Sequence, residues 1–173
     1  MSEATPTIET PPPAPLTDAD LARLRKVAIL SDVPESELHC LRDAREIHVE
    51  EGEFLARQGE TLHFFCILLA GSLRIYQTLP DGREQVFGIA SAGTALGELP
   101  LLSNTPSAAN VRATEPSDLL QFDEQQFWSL LTNCPTVRKA ILGNMAIRFQ
   151  KYQSMVVQQE KMASLGTLSL IHI

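Results

Sequence analysis

The sequence predicts a mainly β domain with flanking helices: a jelly-roll β-barrel with two short N-terminal helices and a long C-terminal helix. Three observations lead there. Between residues 45 and 123, short segments rich in β-branched and aromatic residues follow one another, separated by turn signals. On either side of that stretch the apolar spacing lengthens to a helical period. With 173 residues, 44% hydrophobic and 20% charged, the chain suits one domain plus accessory segments.

Taken in order, residues 1–16 are Pro- and Thr-rich and hold few large apolar groups, so they are expected to be a disordered tail. They lack the basic and apolar regions of a signal peptide. No apolar run approaches the ~18–20 residues that span a bilayer. The chain therefore reads as cytoplasmic, with no membrane partner. The net charge of −7 argues against nucleic acid as a partner. Thr17 is a helix cap, with Asp18 and Asp20 favourable in the first turn. Leu21, Leu24, Val27 and Ala28 then share a face. Pro34 opens a second short helix carrying Leu38 and Leu41.

Strands are expected in REIHVE, EFLARQ, FFCILLA, SLRIYQTL, EQVFGIA, SAANVRA and DLLQFD. The turns between them fall at Glu51-Gly52, Gly59-Glu60, Ala70-Gly71, Pro80-Asp81-Gly82 and Ala92-Gly93. Helical spacing returns in DEQQFWSLLTNC, with Asp123 as cap and Phe127, Leu130 and Leu131 on one face. Pro135 opens the long helix. Cys40, Cys66 and Cys134 show no paired spacing, so the reading is three buried small apolar residues, with neither zinc site nor disulfide framework. His39, His48, His63 and His172 show no metal-ligand spacing, and no hydrolase triad or phosphate-loop motif is present.

The segment GELPLLSNTPSAANVRA, residues 97–113, carries the most specific information. With the strand spacing and the flanking helices, it resembles the cyclic nucleotide-binding domain of catabolite-activator-type regulators, protein kinase A regulatory subunits and gated channels. The resemblance covers residues 20 to about 150 and assigns residues 17–134 to a cyclic nucleotide-binding-like domain. It implies that Gly97 lets the backbone approach the ligand, and that Glu98 accepts a hydrogen bond from a ribose hydroxyl. Leu99 to Asn104 match the short helix whose free N–H groups favour an anion.

The family pattern continues Pro, Arg, Ser or Thr, Ala. Here it reads Pro106, Ser107, Ala108, Ala109, so the phosphate-pairing arginine and the hydroxyl after it are absent. A charge-assisted hydrogen bond contributes roughly 1.5–3 kcal/mol. Loss of a bidentate arginine therefore weakens cyclic-phosphate binding by roughly 10- to 1000-fold. Arg112 is an odd number of residues from Ser107 and belongs on the opposite face of a regular strand. The expected ligand-binding residues are Gly97, Glu98, Leu99, Ser107, Ala108 and Ala109, with catalytic and metal residues absent. No cofactor is assigned; a cyclic nucleotide or another small ligand is the implied occupant. Two readings stay open: a pocket for a less anionic ligand, or a relic that relays contacts unliganded.

Leu142, Met145, Phe149, Tyr152 and Val156 step by three and four, the seam of a coiled coil. That favours a homodimer through the long helix, against an amphipathic helix packed on its own barrel. QQEKMASLGTLS resembles the run leading into the phosphoacceptor helix of sensor histidine kinases. Residues 135–167 are accordingly read as a signalling helix leading into a truncated kinase dimerisation segment. LSLIHI coincides with the translation of a common transposon-adapter sequence, so residues 168–173 are read as non-native. The expected function is a non-catalytic sensory module of a two-component sensor histidine kinase, with a response regulator as partner of the intact protein. The alternatives are the effector domain of a Crp/Fnr-type transcription regulator without its helix-turn-helix, or a ligand-free dimerisation module.

Overall fold

The computed structural model describes residues 16–171; residues 1–15 of the expected tail, and residues 172–173, lie outside the described residues. Leu16, the last residue of that expected tail, is instead buried in the core, and its N–H donates to the Arg42 carbonyl at 3.2 Å. Two antiparallel four-stranded sheets face each other. One has the order β1 (Arg45–Val49), β8 (Ser117–Asp123), β3 (Phe64–Ala70), β6 (Ala95–Leu96); the other has β2 (Phe54–Ala56), β7 (Asn110–Ala113), β4 (Leu73–Thr78), β5 (Glu84–Ala90). This is the expected jelly roll.

The strand FFCILLA explains why a β domain needs helices. Its residues alternate between two apolar environments. Cys66 and Leu68 face the second sheet, beside Leu73, Ile75, Val111 and Leu119. Phe65 and Ile67 face outward, with Leu120 and Phe122 of β8, and would meet water if left uncovered. Leu21, Leu24, Leu38, Leu41, Phe127, Leu130, Val137 and Ile141, all from helical segments, cover them. Each buried Leu, Ile or Phe contributes ~1.5–3 kcal/mol. A strand buried on both faces reads as a continuous apolar run, as this one does.

The covering helices form where the caps predict. α1 (Asp18–Leu24) has Thr17 as N-cap in a capping box with Asp20. The Pro34 segment is a 3₁₀ helix, Glu35–Leu41, and one further 3₁₀ turn spans Ala28–Leu30. α2 (Glu98–Ser103) lies between β6 and β7. α3 (Glu124–Asn133) begins at Asp123, which forms a capping box with Gln126. α4 (Pro135–Ile171) runs helically past the expected end at residue 167.

Two expectations are corrected. Cys40 and Cys134 form a disulfide across a sequence separation of 94. Their distance in sequence hid a contact made only when the 35–41 helix packs against the α3–α4 junction. Cys66 alone is a free buried thiol, and its burial pushes its ionisation upward. The second correction concerns SAANVRA: regular strand starts only at Asn110, and Ser107–Ala109 form a loop. β6 is only two residues long, too short to show an alternation in the sequence.

Candidate ligand-binding site

β6 pairs with the middle of β3 (Cys66 opposite Leu96) and delivers the chain to Gly97. Gly97 caps α2 with φ +92°, and a Cβ there would lie 2.7 Å from the Phe64 carbonyl oxygen. Only glycine satisfies both the left-handed backbone and that close approach. The turn then directs Glu98 inward, where it is 1% exposed.

Opposite α2, the loop from Thr105 to Ala109 is fastened to the Gly59-Glu60 turn. Ser107 N–H donates to the Glu60 carbonyl at 2.8 Å, and Gly59 N–H donates to the Ser107 carbonyl at 2.8 Å. The Ser107 hydroxyl donates to the Ala109 carbonyl at 2.7 Å. Gln77 Nε2 donates to the Ala108 carbonyl at 3.2 Å.

α2, this loop and the inner face of the barrel enclose a cavity of about 350 Å³, within the usual range for small-molecule sites. Gly97, Glu98, Leu99, Ser107, Ala108 and Ala109 all line it. The remaining wall is largely apolar, with Leu55, Leu62, Phe64, Ile75, Phe87 and Val111 among its residues. Leu99 sits at the rim, half exposed.

α4 closes the cavity with two side chains, Arg148 and Tyr152. The Tyr152 ring packs 5.5 Å from that of Phe87. Arg148 forms an ion pair with Glu98, and its side chain is 17% exposed. Burial holds the guanidinium below the usual arginine range, with Tyr152 opposing that shift; arginine nonetheless stays protonated at neutral pH. Among the described residues, Arg148 is thus the one basic side chain lining this cavity, and Glu98 the one acidic side chain.

Sequence reasoning missed Arg148 because the partner of Glu98 is 50 residues away on a different element. A signal was present. Arg148 falls between Met145 and Tyr152 at helical spacing, a charge inside the apolar face of the long helix. Arg112 stays out of the cavity: its Nε donates to the Gly52 carbonyl at 2.7 Å, and its guanidinium lies 5.0 Å from the Phe54 ring centre. Parity along a strand is not the reason, since Ser107 precedes the strand.

A jelly roll carrying a cavity of small-molecule size between a Gly-Glu turn and a closing helix has the architecture of a small-molecule-binding domain. Residues 46–134 match the cyclic nucleotide-binding domain, and the chain belongs to that family. A cAMP-dependent protein kinase regulatory subunit from Blastocladiella emersonii is 32% identical over 111 residues, 64% of this chain and 28% of that protein. The chain therefore spans less than a third of that relative's length. The catabolite activator protein of Thermus thermophilus superposes with a TM-score of 0.67 at 19% identity, covering 76% of this chain and 62% of that one. The sensor domain of the transcriptional regulator DNR from Pseudomonas aeruginosa gives 0.62 at 22% identity, covering 79% and 92%. These two share the fold. None of the three is a histidine kinase, and the front-of-kinase reading draws no support from them. Among the described residues, no helix is long and apolar enough to cross a membrane.

Proposed function

We propose that this chain is the regulatory module of a larger signalling protein, in which a small ligand in the cavity controls α4. The observation that carries this is the buried pair of Glu98 on α2 and Arg148 on α4. Any ligand hydroxyl that donates to Glu98, or any ligand anion that attracts Arg148, competes with the contact holding the helix. Occupancy then shifts the population of α4 positions, and α4 carries the shift to whatever follows.

A cyclic nucleotide is the reference ligand, supported by the family and by the cAMP-dependent relative. Ser107 leaves its phosphate without the usual arginine, so binding is weak unless Arg148 turns from Glu98 to the ligand. The relatives favour the output of a transcription regulator or a kinase regulatory subunit. The sensor-kinase output rests on QQEKMASLGTLS alone, and those side chains, Gln158 excepted, lie outside the described residues. α4 also suits pairing with a second copy, since Leu142 and Phe149 stand exposed.

Calorimetry with cyclic AMP and cyclic GMP, paired with hydrogen exchange across residues 135–154, tests the proposal. The expected result is weak binding together with altered exchange in α4. Binding that leaves α4 exchange unchanged would overturn the relay.

A further inference from the structure

The two ends of the Cys40–Cys134 disulfide sit in different environments. Cys134 is 2% exposed and is the single residue between α3 and α4. Its N–H donates to the Leu130 carbonyl at 3.1 Å, and its carbonyl accepts from Arg138 N–H at 2.8 Å. Cys40 belongs to the 35–41 helix and is half-buried, the more exposed residue of the pair.

His39 lies beside that sulfur. Its Nδ1 is 2.7 Å from the Ser36 carbonyl oxygen, which can only accept, so Nδ1 carries the proton of the neutral ring. The lone pair of Nε2 is then free, and Nε2 lies 3.7 Å from Cys40 Sγ. The same short helix holds α4 a second way. The Glu37 carboxylate accepts from both the N–H and the hydroxyl of Thr136, each at 3.0 Å. The base of α4 is thus fastened to one 3₁₀ helix by a covalent bond and a carboxylate cap.

We propose that Cys40–Cys134 is a reversible thiol–disulfide exchange site, with His39 as its acid–base partner, and that its state sets how freely α4 pivots at its first turn. The co-reactant is a low-molecular-weight thiol and its disulfide. In reduction, the external thiolate attacks Cys40 Sγ, the protein S–S bond breaks, and Cys134 leaves as a thiolate that takes a proton. A second external thiol gives its proton to His39 Nε2, attacks the outer sulfur of the mixed disulfide as the thiolate and releases Cys40, which takes that proton back from His39. Two electrons pass to the protein, which gains two thiols, and one external disulfide forms. Oxidation runs in reverse, with His39 Nε2 accepting the Cys40 proton. Arg148 lies 14 residues along α4 from Cys134, about 20 Å of helix. Freeing the base loosens the contact with Glu98 over the cavity. The exchange site stands independently of the cavity's role; only this last consequence rests on it.

The test uses the full chain equilibrated in glutathione buffers of graded thiol-to-disulfide ratio. Alkylation with mass spectrometry counts thiols, and hydrogen exchange follows residues 134–148. Cys40 and Cys134 should become alkylatable together and reversibly while Cys66 stays protected, and exchange at the base of α4 should quicken several-fold on reduction. In His39→Asn the approach to equilibrium should slow several-fold without moving its end point. In Cys40→Ser/Cys134→Ser, exchange should match the reduced chain in every buffer. A bond that yields only when Cys66 is also exposed, or reduction that leaves α4 exchange unaltered, would overturn the proposal. An unchanged rate in His39→Asn would overturn the acid–base role.

Discussion

Arg148 of α4 reaches over the mouth of the barrel and pairs with Glu98 on the first turn of α2, both side chains largely withdrawn from water. A buried pair of this kind gains little over a well-packed apolar substitute, yet removing one partner strands a buried charge at a cost of about 3–5 kcal/mol. Arg148→Ala should therefore destabilise the domain by about 3 kcal/mol, the low end of that range because the guanidinium keeps some solvent contact. The double change Glu98→Gln/Arg148→Met should cost much less. Urea denaturation reads both. Equal losses in the single and double variants would mean that the charges are uncoupled.

Ser107, which the sequence resemblance aligns with the family's phosphate arginine, is 7% exposed on the cavity wall. Ser107→Arg should tighten cyclic AMP binding by roughly 10- to 100-fold over the unmutated chain, the range of one charge-assisted hydrogen bond. Calorimetry measures the ratio. Tight binding by the unmutated chain would show that Arg148 already meets the phosphate.

The turn before α2 has little tolerance. Gly97→Ala places a methyl 2.7 Å from the Phe64 carbonyl oxygen, on a backbone at φ +92°. The expected cost is at least about 1–3 kcal/mol, with Glu98 displaced from Arg148. A thermal melt gives the cost. An unchanged Tm would mean that β6 shifts freely against β3.

The elements that sequence made legible are those specified locally. FFCILLA and EQVFGIA occupy their strands residue for residue, and Thr17 and Asp123 form the caps that their side chains predict. What stayed hidden depends on pairs far apart. Cys40 meets Cys134 only after the 3₁₀ helix docks, and Arg148 meets Glu98 only after α4 folds back over the barrel. The apolar stripe of α4 also divides on folding. Met145 and Tyr152 turn partly inward, Leu142 and Phe149 remain exposed, and the Val156 side chain lies outside the described residues. A helical period identifies a face but not what covers it.

His48 supplies a pH dependence remote from the cavity. Its Nδ1 lies 2.7 Å from Asp118 Oδ1 and its Nε2 3.1 Å from Glu50 Oε1. The hydrogen bond to Asp118 raises its ionisation above the ordinary histidine value; loss of solvation opposes that shift, and the Glu50 charge adds to it. A raised folded-state value means that this contribution is fully present below the ordinary histidine range. It is lost as pH rises through the folded-state value. Stability should therefore fall over that window in the native chain and stay flatter in His48→Gln. NMR titration of the imidazole alongside denaturation at several pH values checks both. A His48 that titrates at or below the ordinary value would refute the assignment.

The exposed side of α4 yields the last prediction. Leu142 and Phe149 are seven residues apart, so they stack on one helix face, and they are 40% and 61% exposed. Residues at that spacing give a second α4 a continuous apolar strip, and Leu99, half exposed at the cavity rim, extends it. If two chains pair through this strip, the ligand-sensitive helix is also the dimer helix, so a ligand that moves α4 alters the pairing. Sedimentation should then find a species of two chains that dissociates on dilution. Phe149→Asp should shift it to the 19.1 kDa monomer, because a carboxylate in the strip loses solvation without gaining a partner. Lys151→Asp, on the exposed polar side of the helix, should leave the dimer intact. A native chain that sediments as a monomer at high concentration would overturn the pairing.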